Sequence, residues 1–237
     1  MTPHVLLTGA SSGIGRALAK QLARAGYRLS LQGRQADKLA DTVAELVPPA
    51  ESTSNPLLHS AAFCLSQRAA ITEFVSLAEA KAPVDILINC AGANLSRSTA
   101  INPDTAALHA MMQLNFFAPV QLCAEVLPSM LARGQGTMLN VLSTCCLFAN
   151  AHNSGYTASK LALDGYSKVM RKELQGSGIR VLSLYPGGVN TEFRQASRPD
   201  YLRADDVATA VMSMLSTPPH VQWHELVLRP AIETNYA

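Results

Sequence analysis

One stretch near the start of the chain decides the fold: residues 5–15, which read VLLTGASSGIG. Its first four residues are apolar or β-branched, as in a buried strand, and three glycines follow at Gly9, Gly13 and Gly15. Apolar residues then recur with helical spacing as far as Ala25, and Gly26 ends that helix. A glycine turn between a strand and a helix lets the backbone approach a diphosphate, which the N–H groups at the helix N-terminus then bind.

The rest of the chain repeats this alternation of short strands and amphipathic helices. We predict further strands at Arg28–Gln32, Leu57–Phe63, Val84–Asn89, Thr137–Leu142, Arg180–Leu184 and Glu225–Leu228. Helices are predicted at Gln35–Leu46, from a Ser66 cap to Lys81, at Pro103–Ala132 with a break near Pro119, at Gly155–Gln175 and at Ala204–Leu215. This order predicts an α/β fold with a doubly wound, mainly parallel, Rossmann-like sheet of seven strands and helices on both faces. We expect a single domain over residues 1–237, with its ligands beyond the carboxyl ends of the strands.

Composition excludes several classes of protein. The chain has 237 residues, of which 48% are hydrophobic and 15% charged, enough for one large core. A net charge of +2 gives no electrostatic reason to expect a nucleic-acid partner. There is no run of about 18 uncharged apolar residues and no signal-peptide pattern, so we expect no membrane partner. The five cysteines are odd in number and lack zinc-ligand spacing, which predicts reduced thiols, a cytoplasmic location and no metal.

The residue after the second predicted strand bears on which dinucleotide would bind. Sheets that select NAD carry an acid in this region to bind the adenosine ribose, whereas this chain reads Gln32-Gly33-Arg34. A guanidinium can pair bidentately with a 2′-phosphate. The sequence therefore favours NADP(H), with NAD(H) as the alternative if Arg34 is an ordinary solvated charge.

Four polar residues form the candidate catalytic set. Tyr156 and Lys160 lie four residues apart, so they share one face of a helix, where an ammonium stabilises a phenolate. Ser143 follows the fifth strand, at the sheet edge where a substrate would lie, and its hydroxyl can donate to a carbonyl oxygen. Asn115 stands among Leu114, Phe116 and Phe117. A buried amide needs a specific partner, although that partner can simply be backbone.

Taken together, these residues resemble the short-chain dehydrogenase/reductase family. The resemblance runs from Val5 to Leu228, and its carriers are Thr8–Gly15, Asp85–Gly92, Asn115, Ser143, the Tyr156/Lys160 pair and Pro186–Thr191. It implies an oxidoreductase that moves a hydride between a nicotinamide and a small carbonyl or alcohol substrate. It also implies a homo-dimer or homo-tetramer built through the two long helices.

The same resemblance assigns roles to the four catalytic candidates. Tyr156 would protonate the carbonyl oxygen in reduction or deprotonate the alcohol in oxidation. Lys160 would hold the nicotinamide ribose and promote ionisation of Tyr156. Ser143 would orient the substrate oxygen, and Asn115 would hold a water that links Lys160 to solvent.

The resemblance also implies a set of cofactor-binding residues, in which Thr191 and the backbone at Val189 fix the carboxamide. The set comprises Gly9, Ser11, Ser12, Gly13, Ile14, Gly15, Arg34, Cys64, Leu65, Asn89, Ala91, Gly92, Tyr156, Lys160, Pro186, Gly187, Val189 and Thr191.

The chain departs from the family pattern in three places. Cys90 stands where Asn is usual, and residues 63–66 lack the acid that contacts adenine, so we expect weaker cofactor affinity. Only Glu192–Arg203 separates Thr191 from the last helix, and a substrate loop this short predicts an open cleft. Candidates for the walls of that cleft are Phe148, His152, Asn153, Phe193 and Arg194.

Two other functions remain as alternatives at this point. One is a catalytically silent, dinucleotide-binding regulatory protein. The presence of all four catalytic candidates argues against it. The other is an epimerase or dehydratase with tightly held NAD, which would need more residues after Pro186 than this chain has.

Overall fold

The computed structural model describes residues 2–48, 50, 55–193, 196–218 and 220–234. Its strands are β1 (His4–Thr8), β2 (Arg28–Gly33), β3 (Leu57–Ala62), β4 (Ile86–Asn89), β5 (Gly136–Val141), β6 (Ile179–Pro186) and β7 (Glu225–Leu228). They form one sheet in the order β3-β2-β1-β4-β5-β6-β7, and every neighbouring pair is parallel. The predicted fold class is therefore confirmed.

Helices cover both faces of this sheet. They are α1 (Gly13–Arg24), α2 (Ala36–Ala44), α3 (Arg68–Lys81), α4 (Thr105–Met112), α5 (Ala118–Arg133), α6 (Ser154–Glu173) and α7 (Ala204–Leu215). Side chains alternate between the two faces along each strand. Val5 and Leu7 of β1 therefore pack against α1 and α7 in one core, while Leu6 between them packs against α3, α5 and α6 in the other.

The long helical stretch before β5 is distorted close to the predicted break near Pro119. A single π-helical turn, Gln113–Phe117, joins α4 to α5. Pro119 lies in the first turn of α5, directly after the π turn. The interruption therefore falls just before the proline and includes Asn115.

The start of α3 also differs from the prediction. The helix begins at Arg68 with Gln67 in the N-cap position, and its cap carries no side-chain hydrogen bond. Ser66 does not cap the helix, because its hydroxyl donates to Cys64 Sγ at 3.1 Å instead.

The stretch Thr105–Arg133 is long and apolar enough to cross a bilayer by length and composition alone. Leu122, Val126 and Met130 on its inner face pack into the core against α3 and the sheet. A core helix of a globular domain passes the same test, so this feature is weak evidence for a membrane.

Candidate active site

The glycine turn lies where the chain reverses direction across the sheet, because β1 is flanked by β2 on one side and β4 on the other. Gly9 has a φ of +74°, and a Cβ at this position would lie 2.9 Å from the Cα of Ala91. A Cβ at Gly15 would lie 2.1 Å from the carbonyl oxygen of Gly9. The turn can therefore be this tight only with glycine at both positions.

Two polar side chains hold the turn in place. Thr8 Oγ1 accepts the N–H groups of Cys90 and Ala91, at 3.1 and 3.2 Å, and so joins the ends of β1 and β4. Gln32 Oε1 accepts the Gly9 N–H at 3.2 Å, while its amide donates to the carbonyl of Phe63 at 2.7 Å. The sequence analysis missed Gln32, whose position directly before Gly33 and Arg34 was the available signal.

The carboxyl ends of the strands open into one cleft of about 1190 Å³. Of the predicted cofactor-binding residues, its walls include Gly9, Ser11, Ser12, Gly13, Ile14, Gly15, Arg34, Cys64, Leu65, Ala91, Gly92, Tyr156, Lys160, Pro186, Gly187, Val189 and Thr191. Ser143 also lines the cleft. The structure thus brings two regions far apart in sequence, the glycine turn and the Tyr156/Lys160 pair, to one cavity.

Asn89 is the member of the predicted set that the structure places elsewhere. Its side chain is buried beneath the cleft and donates to Asn140 Oδ1 at 2.8 Å. Asn140 in turn donates to Ser167 Oγ at 2.8 Å. This chain of hydrogen bonds joins β4, β5 and α6, so the Asn89 side chain is used inside the fold.

Lys160 and Asn115 meet beneath the cleft. Lys160 is only 4% exposed, and its ammonium donates to the Val141 carbonyl at 2.8 Å. A Cβ at Gly92 would lie 3.2 Å from Asn115 Oδ1 and 3.3 Å from Lys160 Nζ, so both side chains lie beside Gly92. Burial lowers the pKa of Lys160.

The π turn explains how Asn115 reaches this place. Its Oδ1 accepts the Ala93 N–H and its amide donates to the Ala93 carbonyl, both at 2.9 Å. The same amide donates to Ser159 Oγ at 2.9 Å. Asn115 is fully buried and fastens the loop after β4 to α6. A π turn widens the helix locally, a distortion often found at functional sites.

Ser143 and Tyr156 stand on the cleft wall above this pair. Ser143 precedes a short 3₁₀ turn, Thr144–Cys146, and its Oγ accepts the Cys145 N–H at 3.2 Å. Tyr156 lies in the first turn of α6, and its ring centre is 5.9 Å from that of Phe193. The substrate loop therefore contacts the phenol directly.

Cys145 is a neighbour of these groups that the sequence analysis did not single out. It lines the cleft and is 4% exposed. A hydrogen bond with the Cys146 thiol, and further ones with Ser143 and Thr157, lower the pKa of Cys145 against the opposing effect of burial.

The far end of the cleft carries positive charge. Arg34 is exposed on its wall, and Lys38 lies one helical turn further on. Lys38 forms an ion pair with Glu192 of the substrate loop, and this contact lowers the pKa of the Glu192 carboxyl. The loop is therefore tied to α2 across the mouth of the cleft.

The predicted wall residues have different positions. Phe193 and Asn153 line the cleft, and Asn153 Oδ1 accepts the Asn94 amide at 2.8 Å. Phe148 lies beneath the guanidinium of Arg229. His152 is exposed with a φ of 57°. Arg194 lies outside the described residues.

The residues present fit a bound dinucleotide. The internal hydrogen bonds of α1 begin with the Arg16 N–H donating to Ser12 O, at 3.1 Å, so the N–H groups before it have no partner within the helix. The glycine cradle beside them is a space that side chains would fill. Within the described part of the chain, no three His, Cys, Asp or Glu side chains are grouped to hold a metal ion.

Comparisons with known proteins agree with this geometry. The sequence profile of the short chain dehydrogenase family matches residues 3–202. An uncharacterised oxidoreductase of Staphylococcus saprophyticus is 31% identical, over 95% of this chain and 96% of its own length. Sulfoacetaldehyde reductase 2 of Chromohalobacter salexigens is 31% identical, over 97% of this chain and 95% of its own.

A solved structure is similar to this chain in its fold as well as in its sequence. The closed form of serine dehydrogenase complexed with NADP⁺ matches with a TM-score of 0.88 and 27% identity, covering 99% of this chain and 97% of that chain. The glycine turn, the cleft that it shares with Tyr156 and Lys160, and the family match over most of the chain lead to one conclusion. The chain belongs to the short-chain dehydrogenase/reductase family, whose members are oxidoreductases of alcohol and carbonyl groups.

Proposed function

We propose that this protein is an NADP(H)-dependent reductase of a small ketone or aldehyde, or the reverse alcohol dehydrogenase, with Tyr156 as its general acid and base. One observation carries the proposal. A buried ammonium, Lys160, lies beneath a cleft whose walls hold both Tyr156 and Ser143 and which continues to the glycine turn. Burying a cation costs free energy because the ion loses its hydration. A buried ammonium beside a cleft therefore indicates a functional role.

The residues divide the chemistry among them. The bound nicotinamide supplies or accepts the hydride. The Ser143 hydroxyl donates a hydrogen bond to the substrate oxygen and so stabilises its developing negative charge. Tyr156 gives a proton to that oxygen in reduction and takes it back in oxidation. Lys160 favours the phenolate form of Tyr156 by its charge and donates to the nicotinamide ribose.

Asn115 has a supporting role in this proposal. Both hydrogens of its amide are already donated, to Ala93 O and Ser159 Oγ. Its Oδ1 accepts one N–H and keeps a second lone pair beside Lys160. That lone pair would hold the water through which Lys160 exchanges protons with solvent.

The preference for NADP(H) rests on Arg34. No acid stands at the end of β2, and the exposed guanidinium lines the cleft beyond the glycine turn. Lys38 lines the same end, where its ammonium is ion-paired with Glu192. The NADP⁺ complex of the matching serine dehydrogenase supports this choice.

Removing the phenolic oxygen tests the mechanism. We expect Tyr156→Phe to lower kcat by about 10²- to 10⁴-fold, the usual contribution of a positioned acid and base. The assay follows NADPH absorbance with diketones, quinones, aldehydes, aryl ketones and sulfoacetaldehyde, and NADP⁺ reduction with serine. Tyr166→Phe is the matched control, because Tyr166 is on the same helix but packs against Phe116, away from the cleft.

Activity that survives in Tyr156→Phe would contradict the proposed role of Tyr156. NADPH binding by the wild-type protein without turnover of any compound would instead favour the catalytically silent regulatory protein. These two results are distinguishable, because the first requires an active wild-type enzyme and the second excludes one.

Removing the guanidinium tests the cofactor. We expect Arg34→Ala to weaken NADPH binding by about 10- to 100-fold and to leave NADH binding nearly unchanged, since charge-assisted hydrogen bonds contribute about 1.5–3 kcal/mol. Calorimetric titration with each nucleotide measures this. Arg24→Ala, an exposed arginine at the end of α1, is the control. Tighter binding of NADH than NADPH, unaffected by Arg34→Ala, would refute the preference.

We also propose a homo-dimer or homo-tetramer in a reducing compartment. Apolar side chains project from α5 and α6 into solvent: Leu131, Leu161 and Val169 are 45%, 43% and 56% exposed. Exposed apolar surface of this kind marks an interface. All five cysteines are free thiols, which supports the cytoplasm as the location.

A further inference from the structure

The segment that follows β7 turns back over the cleft. The Gly187 N–H donates to the Leu228 carbonyl at 2.7 Å, so the end of β7 is fixed beside the loop after β6. The Glu233 N–H donates to the Pro230 carbonyl at 3.1 Å and closes a turn. Ile232, Glu233 and Thr234 consequently line the cleft together with Gly187 and Gly188.

The Glu233 carboxylate is held against this glycine pair. Its Oε1 accepts the Gly188 N–H at 2.8 Å. A Cβ at Gly187 would lie 2.4 Å from Oε2, and one at Gly188 would lie 2.9 Å from Oε1. The carboxylate therefore contacts both glycines, and the Tyr201 ring also lies against Gly188, where a Cβ would be 2.2 Å from it.

Arg229 neutralises Glu233 and connects it to Phe148 in the loop after β5. Its Nη2 lies 3.7 Å from Glu233 Oε2, and the two side chains are only 14% and 15% exposed. The same guanidinium lies 4.8 Å from the centre of the Phe148 ring, in a cation–π contact. Phe148 follows the 3₁₀ turn that begins after Ser143, so the pair joins the loops after β5 and β6.

We propose that Glu233 and Arg229 are positioning residues for the nicotinamide end of the site. Glycine has the most freedom of any residue, so an isolated Gly187-Gly188 pair would sample many conformations. The Gly187 N–H donates to the Leu228 carbonyl, and the Gly188 carbonyl accepts the Leu202 N–H. The Glu233 carboxylate restricts the pair further by accepting the Gly188 N–H. The pair directly precedes Val189, whose backbone is the proposed carboxamide ligand, so the clamp sets where that ligand points. The inference rests on the proposed function and assigns a role to the chain beyond β7.

Substitutions at Glu233 test the clamp. Glu233→Gln keeps an oxygen acceptor for the Gly188 N–H but removes the charge, whereas Glu233→Ala removes both. In the cofactor-free protein we expect hydrogen exchange at residues 187–191 to quicken by about tenfold in Glu233→Ala and by less in Glu233→Gln. We expect Arg229→Gln to resemble Glu233→Gln, and the double variant to add little to either.

Kinetics separate positioning from a general loss of stability. If the nicotinamide is misplaced, kcat falls more than the KM of the carbonyl substrate changes, and the primary isotope effect with 4-deuterated NADPH rises because hydride transfer becomes slower. Glu225→Gln is the matched control: Glu225 is also an ion-paired carboxylate near β6, but its partner is Arg171 on the opposite end of the sheet. Glu225→Gln should change neither hydrogen exchange at residues 187–191 nor the kinetics.

The outcomes are decisive in both directions. Exchange at residues 187–191 that stays at the wild-type rate in Glu233→Gln, Glu233→Ala and Arg229→Gln would overturn the inference. If Glu233→Ala does not fold, hydrogen exchange in the isosteric variant Glu233→Gln still tests the clamp, and so does exchange in Arg229→Gln. A wild-type protein that binds NADPH but reduces no carbonyl would refute the proposed function, while the exchange measurement would still decide the clamp.

Discussion

Lys160 shows how one residue links the fold to its chemistry. Its buried ammonium donates a hydrogen bond to the Val141 carbonyl, and burial lowers its pKa because an ion loses its hydration. An ammonium has three donors, so a ligand with hydroxyl groups beside it would satisfy the others. In the proposed function, a bound ribose would therefore offset part of the cost of burying Lys160.

Cys64 offers a test of the adenine end of the cleft. A hydrogen bond from the Ser66 hydroxyl is the largest of the effects that lower the pKa of Cys64. The Ser66 backbone N–H and the charge of Arg34 lower it further. Burial instead raises the pKa of Cys90 and of Cys123 to about 12. Because the thiolate is the reactive form, we expect iodoacetamide at neutral pH to alkylate Cys64 before Cys90 and Cys123. Mass spectrometry of the peptides gives the rates.

NADPH should protect Cys64 if adenine lies against residues 64 and 65, and Ser66→Ala should slow its alkylation without the cofactor. Equal rates with and without saturating NADPH would contradict this placement of the adenine.

At the scale of elements, β1 owes part of its stability to a buried imidazole. His4 is fully buried; its Nδ1 lies 2.9 Å from the Ala82 carbonyl and its Nε2 lies 2.9 Å from Ser30 Oγ. The ring therefore ties β1 to β2 and to the end of α3. Burial lowers the pKa of His4, and the charge of Arg28 acts in the same direction, while backbone carbonyls and Asp85 oppose it.

This predicts a pH-dependent stability. The folded-state pKa of His4 lies below its unfolded value of about 6.5, so the unfolded chain binds the proton more readily. The contribution of neutral His4 is present above pH 6.5 and is lost as the pH falls toward the folded-state pKa. Between pH 7.5 and 5.5, the unfolding free energy of wild type should fall by about 1 kcal/mol more than that of His4→Gln.

Urea unfolding at the two pH values measures this difference. His109→Gln, which replaces an exposed histidine of α4, should follow wild type at both. If the difference in unfolding free energy between wild type and His4→Gln does not change with pH, the pKa of His4 is the same in the folded and unfolded states, and the prediction is wrong.

At the scale of the whole molecule, the two faces of the sheet are covered unequally. The core beneath α1 and α7 is closed by those helices, whereas α5 and α6 on the other face leave large apolar side chains in solvent. Burying a side chain such as Val169 contributes about 1.5–3 kcal/mol at full burial. Association of two chains through these helices would remove this surface from water.

We therefore expect Val169→Glu to shift the protein toward monomers, because it would bury a charge in the interface. Light scattering coupled to size-exclusion chromatography gives the mass of the species. Val47→Glu, at a valine of similar exposure after α2, should leave the mass unchanged. A wild-type protein that is monomeric at micromolar concentration would refute the interface.

The sequence by itself determined the order of strands and helices along the chain, and it supplied most of the candidate site residues. Short apolar runs, helical spacing and the glycine turn are local signals, and they placed Ala204–Leu215 and Glu225–Leu228 at their observed bounds. Tyr156 and Lys160 became candidates through their four-residue spacing, and Ser143 through its position directly after a strand. These features need no knowledge of distant contacts.

Only the tertiary structure distinguished the surroundings of two buried amides. Asn89 and Asn115 both stand in apolar surroundings, yet Asn89 pairs with Asn140 inside the fold while the π turn carries Asn115 to Ala93 and Lys160. The clamp from Glu233 to Gly188 is another case, since 45 residues separate its ends. Such contacts depend on how strands and loops meet in space, and no local pattern of residues records that meeting.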